Sequence, residues 1–204
     1  MNGSFFPKYP NPKTHSVFLL SPANMSGERA KLLLSARAEF DLAVRLRNGR
    51  ATLGEAFAFI SGLYFRGKLA YANTFAAPPP GIPPALVITT SHGLVLPETL
   101  VTPAKLKRFA AVPIDVSESR YLRPLVRDCR ALADSVSENC VFVLLGSIAT
   151  PKYLEPMSVA FGERLHFPDE FLGRGDLSRG GLMLRCVKED RPMNYSSIST
   201  LAQH

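Results

Sequence analysis

The chain has 204 residues and a formal net charge of +7, with 46% hydrophobic and 20% charged residues. That size suits one domain with a substantial core, and the apolar content excludes a disordered chain. No apolar run approaches the roughly 18–20 residues of a membrane span, and the start MNGSFFPKYPNPKTH lacks the charged region and apolar stretch of a signal peptide, so a soluble, cytoplasmic protein without membrane contact is expected.

Along the chain, residues 1–15 are rich in Pro, Asn and Lys and read as an irregular arm ahead of a single α/β domain over 16–190. SVFLL gives a first strand, and ANMSGERAKLLL turns into a helix with Ser26 as its N-cap. EFDLAVRLRNG continues as a helix that stops at Gly49, and TLGEAFAFISGLYFRGKLAYANTF reads as two helical pieces broken near SGLY. AAPPPGIPP is a stiff crossover inside the domain. ALVITTS then forms a β-branched strand, TPAKLKRFAAV a short helix with Thr102 as cap and Pro103 at its first position, and SESRYLRPLVRDCRALADSVSEN the clearest amphipathic helix. CVFVLLGS is an apolar strand, TPKYLEPMSVAF a helix containing Pro156, and ERLHFP a further strand. A glycine-rich loop, GRGDLSRGG, precedes the strand-like run GLMLRCV, and residues 191–204 form a polar tail. Strands without polar alternation, separated by helices, need cover on both faces, which predicts three layers around a mostly parallel sheet with SVFLL, ALVITT and CVFVLL central.

The basic balance favours nucleic acid or a polyanionic small molecule as partner, because arginine supplies much of the excess and suits bidentate contact with phosphate. Cys129, Cys140 and Cys186 form no C-x-x-C pair and read as reduced core thiols, and His15, His92, His166 and His204 lack ligand spacing, so no metal or other cofactor is expected. G-x-x-x-x-G-K, G-x-G-x-x-G and G-x-S-x-G motifs are all missing, which argues against a P-loop NTPase, a Rossmann oxidoreductase and an α/β-hydrolase.

In such sheets ligands gather beyond the carboxyl ends of the strands. That rule selects SPANMSGER, TTSHGLVLPETL, GSIATPKY and the glycine stretch. In GSIATPKY, Gly146 permits close approach and Ser147 or Thr150 offers a hydroxyl. His92, between Ser91 and Gly93, either moves a proton or caps a turn. Asp176 and Glu98 are the carboxylates best placed as base or water-steering groups, with Asp115 a weaker third. Tyr64, Arg66 and Lys68 interleave aromatic and basic groups, which either stack a base and hold phosphate or divide into core and solvated face. Within the glycine stretch, Gly173, Gly175 and Ser178 accompany Arg174 and Arg179, either as an anion-binding loop or as a charged surface turn.

Taken in order, FISGLYFRGKLAYANTF, VITTSHGLVLPETL and VLLGSIATPKYLEPM followed by GRGDLSRG resemble a little-characterised group of bacterial and phage proteins. The second segment is also similar to an element in the accessory domain of archaeal tRNA-guanine transglycosylases. The resemblance implies a uracil-DNA-glycosylase-like α/β fold. It also implies a nucleobase- or nucleic-acid-related site formed by Tyr64, Arg66, Ser91, His92, Gly93 and Glu98 with the Gly173 to Arg179 loop. SPANMSG departs from the group's usual turn, and the water-activating motif of true uracil-DNA glycosylases is not visible.

Two functions follow. The first is a DNA glycosylase-like hydrolase that cleaves the N-glycosidic bond of an ordinary or modified base, with Asp176 or Glu98 stabilising the cationic sugar and His92 assisting the leaving base. The substrate-binding set is then Tyr64, Arg66, Lys68, Ser91, Gly93, Ser147, Gly173, Arg174, Gly175, Ser178 and Arg179, with DNA preferred to RNA as partner. The second is a non-catalytic nucleic-acid or nucleotide-binding module of a phage-defence or modification system.

Overall fold

Three strands carry the centre of the molecule because their apolar runs are covered from both sides, with the polar His15 and Ser16 at the start of the first. In the computed structural model, which describes residues 14–203, β1 (His15–Leu20) pairs in parallel with β3 (Ala85–Ile88) on one side and with β6 (Cys140–Leu145) on the other. β7 (Leu165–Pro168) extends the sheet in parallel beyond β6, and short antiparallel strands close both edges: β4 (Leu94–Val95) beside β3 and β8 (Tyr195–Ser197) beside β7. The order is β4-β3-β1-β6-β7-β8. A separate two-residue ribbon joins β2 (Ala51–Thr52) to β5 (Leu100–Val101).

Alternate residues of each central strand face different cores. Phe18, Leu20, Val87, Val143 and Leu145 pack under α1 (Glu28–Leu34), α2 (Asp41–Arg47), α3 (Leu53–Ser61), α4 (Leu63–Phe75) and α8 (Asp176–Lys188). Val17, Leu19, Ile88, Phe142 and Leu144 pack under α6 (Ser119–Asp134) and α7 (Pro151–Phe161). The remaining helix, α5 (Pro103–Ala110), follows β5, and Thr102 caps it by accepting from the Lys105 N–H, with Pro103 in its first turn as the sequence predicts. The three expected central strands are therefore adjacent and parallel inside a three-layer α/β fold. No helix among the described residues is long and apolar enough to cross a membrane.

Four expectations need correction. The glycine stretch is not a loop beyond Gly175: Asp176 opens α8, and GLMLRCV continues that helix instead of forming a strand, with Cys186 a buried helical thiol. Glycine disfavours helix by about 1 kcal/mol per residue, which is why the stretch reads as irregular. Packing overrides that preference here. A Cβ on Gly180 would lie 2.8 Å from the Tyr64 Cα, and one on Gly67 would lie 2.8 Å from the Gly180 carbonyl oxygen, so the two glycines let α4 and α8 touch backbone to backbone. Ser26 does not cap α1: Gly27 holds that position without a side-chain bond, and Ser26 donates instead to the Asn24 side chain at 2.7 Å. Within the expected polar tail, Tyr195–Ser197 adds an edge strand because its backbone completes the free side of β7. At the other end, His15 already belongs to β1, while the rest of the expected arm, but for Thr14, lies outside the described residues.

Candidate functional site

The chain runs from β1 to β3 on one side of the sheet and returns to β6 on the other, so the loops leaving β1 and β6 diverge. In open parallel sheets that divergence opens a crevice beyond the carboxyl ends of the strands. A cavity of about 530 Å3 occupies this place. The loop after β1 lines it with Ser21 and Asn24, the end of β3 with Thr90, and the end of β6 with Ser147. Tyr64 at the start of α4, Tyr153 on α7 and Phe109 on α5 supply aromatic walls, and Asp176 stands at the mouth on the first residue of α8.

Beneath the crevice lies Lys68, only 1% exposed. Its ammonium nitrogen donates to Ser21 Oγ at 2.6 Å and to the Ser21 carbonyl at 3.0 Å, and it sits 3.8 Å from the centroid of the Tyr64 ring. Burial pushes its pKa down to about 7; the Asp176 charge opposes that shift and Arg179 adds to it. Both protonation states are therefore accessible near neutrality. The Tyr64 hydroxyl is buried without a hydrogen-bond partner, and burial, followed by the Asp176 charge, raises its pKa to about 12. Tyr64 stays a neutral phenol at the wall. Gly146 keeps this arrangement tight, since a Cβ there would meet Ser21 Cβ at 3.0 Å and Ser21 Oγ at 3.2 Å.

Asp176 is open to solvent, with 68% of its side chain exposed, and its nearest cation is Arg179 at 3.6 Å. Arg179 itself turns inward: it is 7% exposed, and its guanidinium donates twice to the Phe171 carbonyl, at 3.0 and 3.3 Å. It anchors the start of α8 and is not free to grip a phosphate. Arg174 is exposed and donates to Ser178 Oγ at 3.2 Å, and Gly173 and Gly175 flank it on the exposed approach to α8. Arg66 is exposed on α4 and does not line the crevice.

The structure brings Asp176, Tyr64, Lys68 and Ser147 together and leaves the other two proposed catalytic groups elsewhere. His92 lies behind the Phe109 wall, its ring edge-on to Phe109 with centroids 5.3 Å apart and its Nδ1 2.9 Å from Ser91 Oγ. Both line a neighbouring groove. Burial, then Lys105 and Arg108, pushes the His92 pKa down. Gly93 has a backbone role: at φ +64, a Cβ there would lie 2.6 Å from the Pro124 carbonyl oxygen and overlap the Asp128 carboxylate, which accepts from the Leu94 N–H at 3.0 Å. Glu98 is exposed between β4 and β5 and lines neither cavity.

Sequence reasoning selected SPANMSGER without singling out Ser21, and it read Lys68 as either a phosphate contact or a solvated cation, whereas the side chain is buried on Ser21. The signal for Lys68 was its spacing. Tyr64, Lys68 and Tyr71 fall at i, i+4 and i+7 on one helical face, and all three are buried. The fold and crevice define a mostly parallel α/β protein with a polar, aromatic-walled cavity at the strand ends. No family model matches the chain, and comparison with curated proteins and with solved structures returns no match.

Proposed function

We propose that the strand-end crevice takes a nucleobase and that the protein hydrolyses the N-glycosidic bond of a base carried in nucleic acid, on a uracil-DNA-glycosylase-like version of the α/β fold. One observation carries the reading. A buried lysine that titrates near neutrality reaches the crevice through the Ser21 hydroxyl, while the Asp176 carboxylate faces the same cavity between aromatic walls. Leaving-base protonation and stabilisation of a cationic sugar need those two kinds of group.

As the C–N bond breaks, its electron pair leaves with the base and positive charge develops on the sugar. Asp176 stabilises that charge and accepts a proton from the attacking water as the new C–O bond forms. The Lys68 ammonium donates a proton to Ser21 Oγ as the Ser21 hydroxyl proton passes to the departing base. The products are the free base, a sugar hydroxyl, a neutral lysine amine and a protonated Asp176, and one proton exchanged with solvent restores the start. Tyr64, Tyr153 and Phe109 give the apolar lining against which the base that has left the helix packs. His92 has no part in the step because Phe109 separates it from the crevice.

The test is mass spectrometry of small products after incubation with DNA and RNA carrying ordinary and modified bases. The reading expects a free base from the intact chain and a rate that falls as pH rises above about 7, where Lys68 loses its proton. A chain that binds these nucleic acids and releases no base is the non-catalytic module instead.

A further inference from the structure

We propose that a basic groove running from His92 along α6 is the path of a nucleic-acid strand into the crevice, with Arg108, Arg123 and Arg130 as its phosphate contacts. The proposal rests on the crevice taking a base from nucleic acid. A second cavity, of about 540 Å3, lies beside the crevice and shares Val112 with it as a common wall; it is lined by Ser91, His92, Arg108, Arg120 and Arg123. A third groove, of about 590 Å3, shares Arg123 with the second and continues past Arg127 and Arg130 to Asp134. The three concavities therefore lie side by side, each bordering the next through one shared residue.

The sequence builds this surface by periodicity. Arg120, Arg123, Arg127 and Arg130 recur at steps of three and four residues, which places them on one face of α6 over a rise of about 15 Å, close to that of four or five nucleotides of one strand. Arg120 and Arg127 have neighbours to neutralise them, Glu118 at 2.6 Å and Asp128 at 2.7 Å. Arg108, Arg123 and Arg130 make no ion pair or side-chain hydrogen bond among the described residues, and all three are exposed. Unpaired like charges along a groove repel one another and are relieved by a polyanion. Burial first, and then the charges of Lys105 and Arg108, push the His92 pKa down at the crevice end, so these two cations also face that end of the groove.

The surface suits nucleic acid better than a lipid headgroup layer. Peripheral membrane binding sinks an apolar face below the charges. The larger apolar side chains that line the third groove, Leu122 and Val126, are half-buried, and the large exposed hydrophobic side chains among the described residues, Leu32, Leu96, Leu100, Val159, Leu172 and Leu177, all lie off α5 and α6.

The experiment measures fluorescence anisotropy of a labelled 20-nucleotide single strand and its duplex between 50 and 300 mM KCl. It uses the full chain and the triple variant Arg108→Ala, Arg123→Ala, Arg130→Ala. A control variant removes three exposed charges from the opposite layer and its loops: Arg37→Ala, Arg185→Ala, Lys188→Ala. Each lost phosphate contact lowers the slope of log affinity against log salt by about 0.7 for a single strand and 0.9 for a duplex. The groove variant is expected to lose about two to three units of slope and at least tenfold in affinity at the lowest salt, with the control within twofold of wild type. Equal losses in both variants, an unchanged slope in the groove variant, or no binding by the wild type overturns the groove. So does arginine-dependent binding to phosphatidylserine vesicles without oligonucleotide binding. Base release is scored separately on the wild type: arginine-dependent binding without release keeps the groove and removes the hydrolase reading. Release with the groove variant binding normally does the reverse.

Discussion

Lys68 sits where burial and hydrogen bonding pull its charge in opposite directions. Its two bonds to Ser21 favour the ammonium, while the surrounding core favours the amine and brings the pKa down to about 7 against an ordinary 10.5. The unfolded chain therefore holds this proton between about pH 7 and 10.5 while the folded chain has released it, so the stability contributed by this group rises with pH through that window and is flat below it. Replacing Lys68 with Met removes the linkage. Urea denaturation of both proteins is expected to show the wild type gaining on Lys68→Met by up to about 1.4 kcal/mol per pH unit between pH 7 and 10; a constant difference would mean that Lys68 keeps its ordinary pKa. Asp176 makes a separate prediction. Since it is exposed and its partner Arg179 is held independently by the Phe171 carbonyl, Asp176→Asn is expected to leave nucleic-acid affinity within about twofold and to lower the single-turnover rate of base release by about a hundredfold or more. Lost affinity with an unchanged rate would make the carboxylate an anchor only.

Among the elements, α8 shows where local preference and packing part company. Gly180 faces the backbone of α4, so a methyl there must push Tyr64 or Leu63 aside, whereas a Cβ on Gly181 meets nothing within 4 Å. The same substitution is therefore expected to have opposite signs one residue apart. Gly180→Ala should destabilise the fold by about 1–3 kcal/mol through overpacking, and Gly181→Ala should stabilise it by about 0.5–1 kcal/mol through helix propensity. Two stabilising outcomes in urea melts would mean that α4 and α8 do not pack this closely. This pair also explains what the sequence could and could not disclose. SVFLL, ALVITT and CVFVLL were legible as central strands because burial on both faces leaves no polar alternation, and Thr102-Pro103 announced α5 because its capping is local. The start of α8 was illegible because the contact that justifies Gly180 comes from a helix more than a hundred residues earlier. The Lys68–Ser21 bond spans 47 residues and was illegible for the same reason, although the helical spacing of Lys68 with Tyr64 and Tyr71 placed it on an inward face.

At the scale of the whole molecule, the positive charge and the crevice belong to one arrangement. The sheet separates a layer that supplies Lys68, Tyr64 and Asp176 from a layer whose helix α6 carries the arginine stripe, and the crevice opens between them at the strand ends. Under the proposed function, a strand held along α6 would reach the cavity from one layer and meet Lys68, Tyr64 and Asp176 from the other. The central claim is that this cavity takes a nucleobase, and the most direct measurement is an NMR titration of the chain with a panel of free nucleobases and nucleosides, following the backbone amides. The account predicts saturable shifts for at least one base, centred on Ser21, Tyr64, Ser147 and Tyr153 and lost when Ser147 is replaced by Phe to fill the cavity. Shifts centred away from these residues, or no saturable shift with any base, would contradict it.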